Sequence, residues 1–257
     1  MFSIESILII LKRFWNVLKY RHSGNFQNYS NIKGNYLILE GFLETIKINF
    51  FACFISGFLG LLLGIFLYFL RILNKKKTYF FINNLINIFI STPYLILIIL
   101  LINGFIGYYF NIYYGFKAGI ICLISVLIPI FSRNCEQVFL QINPELYKTS
   151  YTLGANKFQF IIYFLLRESI SYLILKFISL FISSLSYSSV LSIVGLQGLG
   201  QIAYYYGFQG MYDFSEYGFN NLDLIWVCVL VLFFLVQIFH LIGNFIAHKF
   251  DLKINYV

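Results

Sequence analysis

The chain carries few residues able to do covalent or acid–base chemistry, and their spacing argues against an active site. Its three histidines, His22, His240 and His248, are far apart in sequence. His240, inside an apolar stretch, reads as a packing or interfacial residue. The four cysteines, Cys53, Cys122, Cys135 and Cys228, form no CxxC pair, and three lie in apolar stretches. They read as packing residues, not as a disulfide framework or metal site. No GxxxxGK[ST] phosphate-binding loop is present. Arg133 and Glu136, three residues apart, suit an ion pair on one helix face. No catalytic residue and no metal ligand is assigned. The apolar stretches also lack the buried carboxylates of proton- or sodium-coupled transport. What remains is docking and transport, with energy supplied from outside the chain.

Docking points to Asn143–Glu168, the one long polar interruption with internal design. Asn143 suits a helix N-cap, Pro144 the first helical position, and Glu145 the positive end of the helix dipole. Leu146, Ser150 and Leu153 fall on one face at helical spacing. Gly154 then suits a C-terminal cap, because glycine tolerates the left-handed conformation. Asn156 can cap a second helix through Phe158, Ile161, Ile162 and Leu165. The unit reads as helix, glycine turn, helix beside a membrane. An ordinary interfacial loop is the plainer alternative.

The second singular stretch is Tyr187–Phe208, YSSVLSIVGLQGLGQIAYYYGF. Gly195, Gly198 and Gly200 allow a sharp bend or close backbone approach. Without a strand–helix context they are no dinucleotide fingerprint. A turn that closes a helix is the simpler reading. Tyr204, Tyr205 and Tyr206 suit an aromatic belt at a membrane interface.

The elements that must position these stretches are transmembrane helices. Of 257 residues 60% are hydrophobic and 11% charged, and the mean hydropathy is +0.81. A soluble domain would carry roughly a quarter charged residues. The net charge of +8 reflects basic flanks of spans and not nucleic-acid binding. Five spans are expected, near 48–70, 80–102, 117–139, 170–194 and 224–247, so the fold class is all-α integral membrane. Gly57, Gly60 and Gly64 permit close helix contact in the first span. Pro93 and Pro129 mark helix kinks in the second and third. Residues 1–40 form an N-terminal extension. It holds an amphipathic interfacial helix, with Lys12, Arg13, Lys19 and Arg21 among Phe14, Trp15 and Leu18, and a linker at Ser23–Lys33. Its charges follow the apolar run, which is not the order of a signal peptide. Residues 41–250 form the transmembrane domain with the 141–168 loop, and 251–257 a tail. Basic loops at 71–79 and 133–169 and the basic tail belong in the cytosol, while 103–117 and 195–223 belong outside. Five spans then put the N-terminus outside and the C-terminus inside, although the N-terminal region itself is basic.

Together, in this order and spacing, the two stretches resemble the permease subunits of ATP-binding cassette (ABC) importers, and most nearly the methionine-uptake permeases. Lys148-Thr149-Ser150-Tyr151-Thr152-Leu153-Gly154-Ala155 and Leu165-Leu166-Arg167-Glu168 stand where that family has its EAA-type loop. Tyr187-Ser188, Gly195-Leu196-Gln197-Gly198-Leu199-Gly200-Gln201-Ile202, Tyr204 and Tyr206-Gly207 resemble the segment after the loop. Gly41-Phe42-Leu43-Glu44-Thr45, Ser91-Thr92-Pro93, and Pro129 with Arg133 and Glu136 add agreement. The resemblance covers about 34–250 and leaves 1–33 as an addition. Lys148 and Arg167 replace the family's Glu and Pro, and Ile90 replaces an Arg. The resemblance implies a type I importer permease fold in a bacterial inner membrane, working as a homodimer. Two cytosolic ATPase subunits would dock on coupling helices at Lys148, Thr149, Ser150, Leu153, Gly154 and Ala155. ATP and Mg would sit on those partners, with no cofactor on this chain. An external substrate-binding protein or lipoprotein would deliver D- or L-methionine. Gly195, Gly198 and Gly200 would form an external gate or turn, and Tyr187, Ser188 and Ser192 would line the pore. Competing readings are a permease for another small solute, or a secondary transporter.

Overall fold

The computed structural model describes residues 4–21, 36–210 and 212–250. The expected linker at Ser23–Lys33 and the 251–257 tail lie outside these. The described residues are helical apart from turns, with one isolated backbone bridge between Arg21 and Tyr36. We name the helices α1 (Ile4–Lys19), α2 (Leu37–Ile72), α3 (Lys76–Ser91), α4 (Tyr94–Phe110), α5 (Phe116–Leu140), α6 (Glu145–Thr152), α7 (Lys157–Val194), α8 (199–208) and α9 (Asn221–Lys249).

Among the described residues four helices are long and apolar enough to cross a bilayer: α2 with 36 residues, α5 with 25, α7 with 38 and α9 with 29. The α3–α4 pair makes a fifth crossing, but broken, with a bend of 109°. Pro93 was expected to kink a single helix; it ends one. A residue before proline is pushed out of the helical region, and Thr92 is extended at φ −75°, ψ 130°. The Thr92 hydroxyl donates to Ile88 O at 2.7 Å and closes the last turn. Pro129, in contrast, lies buried inside an uninterrupted α5. The fourth span is longer than the expected 170–194. Its helix begins at Lys157, so the second half of the expected helix–turn–helix is the first part of α7.

α2 and α5 form the centre. The glycine stripe works as expected: a Cβ on Gly60 would sit 3.1 Å from Ile128 O, and one on Gly64 2.6 Å from Cys135 Cβ. Close backbone approach of this kind substitutes for the hydrophobic drive that lipid cannot supply. The four cysteines are free and buried, as packing residues should be.

The loops sort to two ends. At one end α6 lies under α2, with Tyr147 packed edge-on against Phe69 and Phe160. The Ser171 hydroxyl there donates to Ala247 O at 2.9 Å, which brings in the last turn of α9. At the other end Val17 and Tyr20 of α1 join Phe214, Phe219 and Leu224 in one apolar cluster. α1 therefore lies at the 195–223 end and the last turn of α9 at the 141–156 end, as an odd number of crossings between them requires. The basic residues of α1 sit at the same end as Asp213, Glu216 and Asp223.

Candidate functional site

The 141–156 loop folds much as its residue types dictate. Asn143 Oδ1 accepts from Glu145 N at 2.9 Å, so Asn143 caps the helix although Glu145, not Pro144, is the first helical residue. α6 ends in a Schellman motif, the paired hydrogen bonds that satisfy the last carbonyls of a helix. Gly154 N donates to Tyr151 O and Ala155 N to Ser150 O, both at 3.0 Å, and Gly154 has φ +77°. Asn156 then makes a reciprocal capping box with Gln159: Gln159 N donates to Asn156 Oδ1 at 2.8 Å, and Asn156 N to Gln159 Oε1 at 2.9 Å. Two firm helix ends thus meet across Gly154 and Ala155.

This construction divides the residues expected to dock. Lys148, Thr149, Leu153 and Gly154 are exposed, and Ala155 is half-buried. Ser150 is buried, its hydroxyl donating to Tyr147 O at 2.8 Å, so it anchors the helix and offers no outer surface. Leu153 does not share the buried face of Ser150. As the C-cap it leaves helical geometry, and its side chain is 71% exposed. Tyr151 at 74% and Phe158 at 69% stand beside it. These two aromatics were missed at the sequence level; the signal was their position astride the glycine in an otherwise polar stretch. Arg167 lies on α7 as an exposed residue within a continuous helix.

A polar network stands above this loop. Arg133 Nη1 meets Glu136 Oε2 at 2.8 Å, as the spacing predicts. Glu136 is 1% exposed, and its other oxygen accepts from the Tyr79 hydroxyl at 2.7 Å. Arg133 Nη2 also donates to Asn83 Oδ1 at 2.6 Å and Asn87 Oδ1 at 2.7 Å. A buried carboxylate is tolerable only with such partners. Here they tie α3 to α5 just before the Pro93 break.

The break opens a cleft of about 280 Å³ lined by Ser91, Thr92, Pro93, Tyr94, Ile130 and Tyr187. The rings of Tyr94 and Tyr187 are 4.5 Å apart. Of the hydroxyl residues expected to line a pore, Tyr187 faces this cleft. Ser188 Oγ instead accepts from Asn49 Nδ2 at 3.0 Å, and Ser192 is buried with its hydroxyl on Ser189 O at 2.7 Å. Asn49 is fully buried and leaves its Oδ1 without a partner. A lone amide inside the first apolar span was the signal for it, and the sequence reading passed it over.

The glycine turn at the far end is a packed joint. Gly195 closes α7 with a second Schellman motif: its N–H donates to Ser192 O at 2.9 Å and Leu196 N to Leu191 O at 3.2 Å. Gly198 has φ +138°, and a Cβ there would lie 2.7 Å from Thr45 Oγ1. Thr45 Oγ1 accepts from Leu199 N at 2.9 Å and donates to Gly41 O at 2.7 Å. A Cβ on Gly200 would lie 2.6 Å from Ser189 Cα. Beside the turn a wider cleft of about 590 Å³ carries Glu44, Lys47, Tyr114, Gln197 and Tyr205.

A bundle of broken and unbroken spans, an exposed apolar loop at one end and a packed glycine joint at the other invites comparison with known transporters. Over 212 residues the chain is 28% identical to the probable D-methionine transport system permease protein MetI of Pasteurella multocida (strain Pm70), covering 81% of this chain and 93% of that protein. It is 28% identical over 166 residues to the methionine import system permease protein MetP of Bacillus subtilis (strain 168), covering 65% and 70%. A chain of the inward-facing MetNI methionine ABC transporter superposes with a TM-score of 0.76 at 28% identity, covering 84% of this chain and 96% of that one. A chain of an amino acid ABC transporter crystallised with histidines shares the fold alone, at a TM-score of 0.61 and 16% identity. Residues 60–256 match the family described as "Binding-protein-dependent transport system inner membrane component". The chain is therefore a member of that family of multi-pass inner membrane permeases, with the type I ABC importer permease fold.

Proposed function

We propose that the chain is the pore-forming subunit of an ATP-driven methionine importer, working as a homodimer. The observation that carries this reading is the similarity to methionine permeases along 81% of the chain. The exposed apolar surface on the 141–158 segment supports it. Tyr151, Leu153 and Phe158 are large apolar groups held in water by firm caps, a state that favours a covering partner. We assign that surface to a separate ATPase subunit, with Lys148 and Thr149 at its rim and Gly154 as the turn that presents it. ATP and Mg then belong to that partner, and this chain supplies only the coupled movement.

In this reading the 141–156 end faces the cytosol. Arg71, Lys75, Lys76, Lys77, Lys148, Lys157 and Lys249 gather there, as the positive-inside rule expects. The 195–223 end then faces outward and meets the substrate-binding protein. The wider cleft beside Gly195 carries tyrosine rings and the Glu44–Lys47 ion pair, 3.4 Å apart, whose carboxylate and ammonium would exchange partners with a zwitterionic amino acid. We assign Tyr187 and the Pro93 break to a separate, deeper cleft on the substrate's path. Ser188 and Ser192 keep a pore role only if the packing around Asn49 opens.

Labelled-methionine uptake in an auxotroph carrying this permease with its neighbouring ATPase and binding protein tests the reading. Uptake that needs ATP and is abolished by loss of the ATPase is expected. Uptake that survives ATP depletion but collapses with the proton gradient would assign the chain to secondary transport. No rescue by methionine, with another amino acid accumulated instead, would overturn the substrate.

A further inference from the structure

α1 lies outside the matched family region and forms, with α2 and α9, a groove that the transport reading does not use. The groove has a volume of about 460 Å³, within the range of small-molecule sites. Its walls are Trp15 and Leu18 of α1, Ile38, Leu39 and Phe42 of α2, and Val231 of α9. One rim is cationic. Lys19 lines the groove, with Nζ 4.9 Å from the centre of the Trp15 ring. Arg21 follows two residues on, just past the end of α1, its Cζ 4.9 Å from the Tyr36 ring and its Nη2 donating to the Tyr36 hydroxyl at 3.0 Å. Neither cation has a carboxylate within ion-pair distance among the described residues. The lining runs from Tyr36, at the N-cap of α2, to Phe42 on it. At about 1.5 Å per residue that is about 9 Å of depth, which matches the zone where headgroup gives way to acyl chain.

We propose that this groove binds an anionic phospholipid, with an acyl chain against Trp15, Leu18 and Phe42 and the phosphate at Lys19 and Arg21. An apolar slot open to the side of a membrane bundle is accessible to lipid, and two cations without carboxylate partners at its rim select the charge of the headgroup. The Arg21–Tyr36 hydrogen bond and the α1–α9 packing hold the rim in place without any lipid. The bound lipid would fasten α1 to the bundle beside the 195–223 loop.

The protein contains two tryptophans, so Trp226→Phe leaves Trp15 as the only one. Trp226 is exposed on α9 and lines no part of the groove. The full-length W226F protein is reconstituted in phosphatidylcholine vesicles, and Trp15 fluorescence is titrated with phosphatidylglycerol or phosphatidylcholine brominated on the acyl chains. Half-maximal quenching is expected at a mole fraction of brominated phosphatidylglycerol about thirtyfold lower, the effect of two cations at about 1 kcal/mol each on an anionic lipid. K19Q/R21Q should bring the two curves together, and K19R/R21K should keep them apart. Raised salt should narrow the gap. Coincident curves before any rim substitution, or a preference that survives K19Q/R21Q, would overturn the site. So would protection of Trp15 from both lipids, which would mean that protein, from this chain or a second copy, fills the groove.

Discussion

Two helices in this protein end in the same way and do opposite things. α6 stops at Gly154 and α7 at Gly195, each in a Schellman motif with the same pair of hydrogen bonds. Around Gly154 an added Cβ would meet nothing within 4 Å. The Gly195 turn runs straight into Gly198, where a Cβ would strike Thr45, and Gly200, where it would strike Ser189. Gly195 itself lies against Gly115, whose N–H donates to Val194 O at 3.0 Å. The local chemistry is identical, and the difference comes from what the rest of the chain brings to the turn. An open turn flanked by Leu153 and Tyr151 leaves apolar surface exposed, the surface proposed above to dock the ATPase. A filled turn is a joint between spans.

The comparison can be broken by substitution, and the largest effect should come from the joint. Gly198→Ala combines a backbone region that side chains avoid with a contact to Thr45, and should destabilise the protein by about 2–4 kcal/mol. The readout is a lower apparent melting temperature in detergent. Thr45→Val removes the acceptor of the buried Leu199 N–H and should cost about 1–3 kcal/mol by the same assay. If both variants melted with the parent, the turn would not be the joint described here. Gly154→Ala meets no atoms and carries only the left-handed backbone penalty of about 1 kcal/mol. A loss matching that of Gly198→Ala would abolish the distinction between the two turns. The smallest effect on stability belongs to Tyr151→Ala with Leu153→Asp, within about 0.5 kcal/mol of the parent as expected for surface positions. That variant should still lose copurification of the ATPase by about tenfold or more, because exposed apolar anchors dominate such interfaces. Full retention of the ATPase would remove the docking role of the loop.

Much of this was readable from local pattern. Asn143, Gly154 and Asn156 announced their caps because capping depends on a few neighbouring atoms. The Gly57, Gly60 and Gly64 stripe announced a close helix contact, though not that α5 would fill it at Gly60 and Gly64 and Phe177 of α7 at Gly57. Pro93 announced a disturbance, but not a bend of 109° or the meeting of Tyr94 with Tyr187 in the cleft that it opens. The long-range partners were unreadable. Nothing near Gly198 in sequence names Thr45, and nothing near Asn49 names Ser188. Ser150 and Leu153 share a helical face on a wheel, yet one is buried and the other exposed, because the helix ends between them.

By itself the sequence determined that this is a membrane-spanning helical protein, how its 141–156 loop is capped and which family pattern it follows. These follow from hydropathy, residue type and short spacing, each decided within about a turn or one bilayer crossing. Only the tertiary structure decided which glycine turn is filled and which is open, and that α1 shares the 195–223 end. It also decided that Glu136 is buried with Arg133 and Tyr79 around it. Those outcomes depend on atoms brought together from distant parts of the chain, and close packing, unlike a cap, is not encoded in any one segment.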